Sequence, residues 1–233
     1  MNKLTTETKK KKSTKKSKSA PPEVAAPLMD PLELLPALLG AVQPSKEDLR
    51  LTGIYGSINE DRCLEAIYSL HMLYTSGKYL APMDPEDPDS PLLEQYDPIN
   101  FIVSSYGGSA ADMFSVYDTI RDMRQRCEVR TVGLGKVMSA GVLLLACGTK
   151  GHRKIGANCR VMIHGVISGQ HGHLDDVENE FEEAKITQES YVSALAEETN
   201  MKKTYIKKLI GRKTNVYLNA KQAVELGIAD III

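Results

Sequence analysis

No part of this sequence is apolar for long enough to cross a membrane. The longest uninterrupted run, AGVLLLAC at positions 140 to 147, falls far short of the roughly 20 residues that a membrane helix needs. The N-terminus has lysines but no apolar stretch leading to a cleavage site, so we expect a cytoplasmic protein with no membrane partner. Cysteine is scarce and scattered. Cys63, Cys127, Cys147 and Cys159 each sit in or beside an apolar segment, without the close CxxC pairing of a zinc or redox site, which points to buried free thiols. His171 and His173 in GQHGHLDD, with Asp175 and Asp176, look like metal ligands only superficially, because close spacing in a glycine loop is weak evidence. We expect no metal and no cofactor.

What is present is the composition of a soluble globular protein, 42% hydrophobic and 25% charged over 233 residues, enough for one full-sized domain and its appendages. The net charge of −1 conceals an asymmetry. Residues 1–20 hold 8 lysines and 1 glutamate, leaving 21 basic against 29 acidic groups in the other 213 residues. Such a lysine run buries no apolar surface and is expected to be a disordered, solvated tail; contact with nucleic acid, an acidic partner or the body itself is the alternative, and nucleic acid is expected nowhere else. A proline- and leucine-rich arm follows to about residue 45, and the domain proper spans 46–233.

Along that domain strands alternate with helices. LRLTGIYGSI alternates like a strand, and NEDRCLEAIYSLHMLYTSG has helical spacing behind a capping Asn59. Prolines and acidic residues over 82–98 bar regular structure and predict a surface loop insertion. INFIVSSYGG then reads as a buried strand, and SAADMFSVYDTIRDMRQR as a helix capped by Ser109. The rhythm repeats through strand VRTVGLG, helix SAGVLLLACG, strand RVMIHG, a charged helix from about Asp175 to Glu198, helix KKTYIKKLIG and the closing NAKQAVELGIADIII. This pattern predicts an α/β fold with a mainly parallel sheet and flanking helices, whose sites gather where strands end and helices begin.

Three such ends carry chemistry. A serine hydroxyl needs a base to take its proton and backbone N–H donors where a carbonyl oxygen becomes an anion. Ser139 lies between a glycine-containing turn and a helix start, His164 ends the next strand, and Gly107-Gly108 ends an earlier one with backbone N–H groups free to donate. Taken singly, Ser139 reads as a cap and His164 as a core residue.

Their order and context resemble a known family. SSYGGSAADMFSVYDTI, GKVMSAGVLLLACGTKGHRKIGANCRVMIHG and NAKQAVELGIAD follow the blocks of the Clp protease proteolytic subunit, ClpP. That pattern has a Gly-Gly-Ser turn, a Ser-Met-Gly nucleophile segment, a GTKGKR turn, SRVMIHQP and a terminal A.EAVEYGLVD. The resemblance implies a ClpP/crotonase-type fold with a protruding handle helix, and a serine endopeptidase acting on unfolded polypeptides inside a ring. Ser139 matches the nucleophile and His164 the general base. The backbone N–H groups of Gly108 and Ala140 would form the oxyanion hole, and Gly107 and Gly165 would border the bound peptide. Ala140 stands where the family has methionine.

The third triad position falls on Asn215, and no aspartate lies between Asp176 and Asp230. Asparagine can orient the histidine ring without offsetting an imidazolium charge, so slow or conditional catalysis is expected. Glu197 or Glu198 reaching His164 from a shifted helix is the alternative. The resemblance also implies self-association into stacked rings of seven subunits through the helix from Asp175, with an AAA+ unfoldase or a ClpP paralogue as partner. Ile102 and Asp122 occupy positions where the family's docking clefts tend to be aromatic or apolar, and burying an apolar loop tip against Asp122 is unfavourable. Two further readings stay open: a weakly active or inactive structural ring subunit beside an active paralogue, and a viral ClpP-like maturation protease.

Overall fold

The computed structural model describes residues 49–233 apart from residues 88 and 170. The lysine-rich tail, the proline- and leucine-rich arm and the expected domain start at Lys46 lie outside the described residues. The first unit follows from its punctuation. Strand β1 (Leu51–Ile58) ends at Asn59, whose side chain accepts from the Arg62 N–H and caps helix α1 (Glu60–Ser76). Strand β4 (Ile99–Gly108) pairs parallel to β1, and Ser109, accepting from the Asp112 N–H, caps α2 (Ala110–Met123).

Between α1 and β4 the structure departs from the expected loop. Strands β2 (Lys78–Pro82) and β3 (Leu92–Tyr96) pair antiparallel into a separate two-stranded ribbon. Irregular backbone is therefore confined to its tip. Composition misled at this point because Leu92, Leu93 and Tyr96 form a short proline-free run between Pro91 and Pro98, while Glu94 pairs with Lys78 across the ribbon at 2.5 Å.

Strand β5 (Val129–Met138) pairs parallel to β4 and decides the architecture by changing partner midway. Its Val132 and Gly133 pair with the short strand β6 (Lys154–Ile155), whereas Lys136 to Met138 pair with β7 (Arg160–Ile163). The switch falls at Gly135, whose φ of 65° favours glycine, opposite a register shift between Val103 and Ser105 of β4. Strand β8 (Val216–Leu218) pairs antiparallel to β7, and β9 (Ile231–Ile232) pairs parallel to β6. Among the described residues the main sheet thus has seven strands and is parallel save for β8. The two-residue strands β6 and β9 and the three-residue β8 are too short to show a period in the sequence.

Helix α3 (Ala140–Ala146) is buried at every residue behind this sheet, which explains why its sequence is uniformly apolar rather than amphipathic. Helix α4 (Leu174–Glu198) is exposed over most of its first half, while Tyr191, Val192, Ala194 and Leu195 at its far end enter the core. Helices α5 (Lys203–Ile210) and α6 (Ala220–Glu225), the latter held by an Asn219–Gln222 capping box, complete the chain. The four cysteines are free and buried. Burial pushes the Cys63 and Cys159 thiols up to about 11, so neither is a thiolate at neutral pH. Among the described residues no helix is long and apolar enough to cross a membrane.

Candidate active site

The bend of β5 carries Ser139 to the edge where β7 delivers His164. Parallel pairing sets Met138 beside Met162, and the Ser139 N–H donates to the Met162 carbonyl at 2.8 Å. The two candidate residues therefore leave adjacent strands in the same direction. Ser139 occupies the N-cap position of α3, yet its side chain caps nothing. Its backbone has φ 54° and ψ −123°, a region that glycine dominates. A capping serine is extended at this position. The strained turn leaves the hydroxyl without a capping bond, and the N–H of Ala140 stands in a first turn that offers it no intrahelical acceptor.

Gly107 makes room for this turn. A Cβ there would stand 2.6 Å from the Ser139 Cβ and 3.1 Å from its Oγ, on a backbone with φ 101°. The N–H of Gly107 donates to the buried Ser105 Oγ at 2.9 Å. It is therefore not free, contrary to the expectation that both glycines offer donors, and the turn is locked by a side chain two residues back. Gly108 is needed for a different reason. A Cβ on it would meet the Ile58 carbonyl oxygen at 2.0 Å, so β1 can approach only a glycine.

Two adjoining cavities meet at His164. One of about 380 Å³ is lined by Tyr106, Gly108, Ser139, Ala140, His164 and Tyr191, among others. The other, of about 570 Å³, is lined by His164, Gly165, Gln188, Lys207, Lys213 and Asn215, among others. His164 and Gly165 form part of both walls. The antiparallel ladder of β7 and β8 pairs Val161 with Leu218, Met162 with Tyr217 and Ile163 with Val216. It ends at that last pair, and His164 and Asn215 are the neighbouring residues. The serine thus lines one cavity and the asparagine the other, with the histidine in the wall of both, and among the described residues no hydrogen bond joins the three side chains. Catalytic contacts often close only when substrate is bound.

Glu197 and Glu198 do not serve His164. Glu197 pairs with Arg121 at 2.6 Å, and the buried Glu198 binds Arg124 through both oxygens, at 2.6 and 2.7 Å, while accepting from the Tyr117 hydroxyl at 3.2 Å. Both are committed to α2. Burial first, and then the Glu198 charge, push the Tyr117 phenol well above its ordinary value, so it remains a donor.

One contributor escaped the sequence reading. The Tyr191 hydroxyl, on the buried half of α4, donates to the Ser139 carbonyl at 3.1 Å. Burial raises its phenol far above the usual range, keeping it neutral. The only sequence signal was a tyrosine amid the apolar positions of α4, which equally fits plain core packing. His171 and His173 are exposed, and among the described residues no group of three or more His, Cys, Asp or Glu is placed to hold a metal.

Comparison with known proteins places the chain in a family. The family model described as Clp protease matches residues 92–233. The ATP-dependent Clp protease proteolytic subunit 1 of Prochlorococcus marinus (strain MIT 9312) is 30% identical over 151 residues, covering 65% of this chain and 72% of that protein. The protein of the same name from Prochlorococcus marinus subsp. pastoris (strain CCMP1986 / NIES-2087 / MED4) is 32% identical over 144 residues, covering 60% and 71%. With the mainly parallel sheet and flanking helices of that fold, the chain belongs to the Clp protease family.

Proposed function

We propose that this chain is a serine endopeptidase of Clp type working through Ser139, His164 and Asn215. The observation that carries the reading is the Ser139 turn: a non-glycine residue strained at φ 54°, making no cap, beside the next strand's His164. Such strain persists where the surrounding structure enforces it, and it gathers at functional sites.

In this mechanism Ser139 Oγ attacks the peptide carbonyl carbon while the His164 ring takes its proton. The oxyanion is held by the N–H groups of Gly108 and Ala140, the latter at the start of α3. Collapse breaks the C–N bond, and His164 gives its proton to the departing amine. Water then hydrolyses the ester by the same route. Asn215 orients the ring but brings no negative charge, which makes it the weak member. Gly107 and Gly165 leave space for the substrate backbone.

The exposed half of α4 carries Leu174, Phe181 and Ile186, each more than half exposed. We assign this face to ring stacking, with a closed chamber that admits unfolded chains. An AAA+ unfoldase or a paralogous subunit would deliver them. The exposed Asp122 weighs against an ordinary apolar docking cleft.

The test is hydrolysis of short fluorogenic peptides by the purified protein, Ser139→Ala and Asn215→Asp, with fluorophosphonate labelling of the same set. Turnover and labelling that vanish in Ser139→Ala support the assignment. Turnover untouched by Ser139→Ala overturns the nucleophile assignment, and a wild type that neither cleaves nor labels overturns the peptidase and leaves a structural ring subunit.

A further inference from the structure

Next to the Ser139 cavity lies a cation held by two aromatic rings. The Lys136 Nζ sits 4.8 Å from the ring centre of Tyr55 and 4.8 Å from that of Tyr106, within the range of a cation–π contact. Three neighbouring strands supply the three residues: β1 gives Tyr55, β4 gives Tyr106 and β5 gives Lys136. The two rings are largely exposed, at 74% and 69%, so nothing in the core requires them there. Tyr106 also lines the cavity that holds Ser139.

The charge pattern of this sheet face is one-sided. Strand register places Arg160 of β7 beside Lys136, and alternation sets Met138, Met162 and Tyr217 on the same face. Further along the same face the register adds Asn100, Ile102, Val132 and two more cations, Arg130 and Lys154, and no strand position on it is a carboxylate; Arg130 is paired with Glu128 just ahead of β5. Among the described residues neither Lys136 nor Arg160 has an acidic partner. A lysine ordinarily loses rotamer freedom when it meets an anion. The two tyrosines already hold this one in place.

We propose that the Tyr55–Lys136–Tyr106 clamp, with Arg160 behind it, is a specificity subsite that selects polypeptide segments bearing an acidic side chain close to the cleaved bond. Lys136 precedes Ser139 by three positions, about 10 Å along a strand. An extended substrate advances by a similar length per residue, so the favoured Asp or Glu falls about two to four residues from the scissile bond. This inference rests on Ser139 being the nucleophile, and its test separates the two.

The experiment uses fluorogenic peptides identical but for one Glu, Ala or Lys, placed in turn at each of the four positions on either side of the cleaved bond. In the wild type, kcat/KM for the Glu peptide should exceed that for the Lys peptide by about fivefold at one position, the upper range of an exposed ion pair. That preference is expected to fall in Lys136→Ala, to invert in Lys136→Glu, and to shrink in Tyr106→Ala as the clamp opens. The same series is titrated against Ser139→Ala by fluorescence anisotropy, which reads the preference without turnover. Loss of cleavage with an intact binding preference strikes only the catalytic assignment. Glu-to-Lys ratios that are the same in wild type, Lys136→Ala and Lys136→Glu, in both assays, overturn the subsite.

Discussion

Replacing Ser139 by glycine should make the protein more stable while destroying its activity. The residue holds φ 54° and ψ −123°, and backbone strain of this kind costs about 1 to 3 kcal/mol in a residue that has a Cβ. Glycine adopts the conformation freely but adds about 0.5 to 1 kcal/mol of chain entropy to the unfolded state. From the middle of each range the net gain is about 1 kcal/mol, which for a domain of this size raises Tm by about 2 to 4 °C. Ser139→Ala is the control, since it keeps the Cβ and the strain and, with no cap to lose, should melt near the wild type. Thermal unfolding of the three proteins at one matched concentration holds any mass-action effect of assembly fixed. A Ser139→Gly protein no more stable than Ser139→Ala would refute the claim that the turn stores strain on behalf of the hydroxyl.

Four further outcomes are expected. Gly107→Ala sets a Cβ 2.6 Å from that of Ser139 at φ 101°, and it should lower kcat/KM by at least about 100-fold, as a misplacement near 1 Å does, with circular dichroism unchanged. Asn215→Asp should raise kcat towards, at most, the roughly 10⁴-fold that separates aspartate from asparagine in a serine triad; steady-state kinetics with equal or slower turnover would refute the orienting role. Glu198→Ala strands the Arg124 charge beside the buried carboxylate site and should cost about 3 to 5 kcal/mol in urea unfolding. Burial pushes the Asp230 carboxyl up, but Arg153 and the Gly151 N–H outweigh it and hold it below its ordinary value. Its stabilisation is therefore complete above the unfolded value near 3.9 and fades as pH falls through the lower folded value. Asp230→Asn should accordingly be about 3 kcal/mol less stable than wild type at pH 7, a gap that narrows in urea unfolding below about pH 3.9.

Several elements were legible in the residues alone because each carries its own punctuation. Asn59 and Ser109 mark helix starts and do cap them, and INFIVSSYGG coincides with β4. The charged helix expected from Asp175 begins one residue earlier, at Leu174. The hairpin of β2 and β3 was obscured by the prolines and acids at its tip. Strands β6, β8 and β9 exist only because the sheet offers them a neighbour, since two or three residues cannot declare a period. Ser139 looked like a cap because the helix-start signal is identical whether the side chain turns inward or away.

The sequence by itself determined the α/β class, the family and the identities of the residues at the candidate site. Hydrophobic period, glycine turns and ordered motif blocks are local properties of a chain. Tertiary structure alone decided how those residues meet. The partner change of β5 at Gly135 brings Ser139 beside the strand of His164, and the end of the β7–β8 ladder, at Ile163 and Val216, leaves the neighbouring His164 and Asn215 in the wall of one cavity. It also withdrew Glu197 and Glu198 into ion pairs with α2, and gathered Tyr55, Tyr106 and Lys136 from three strands around one cation. These contacts join positions tens of residues apart. Strand register and side-chain packing fix them, and neither is encoded in any one stretch of sequence.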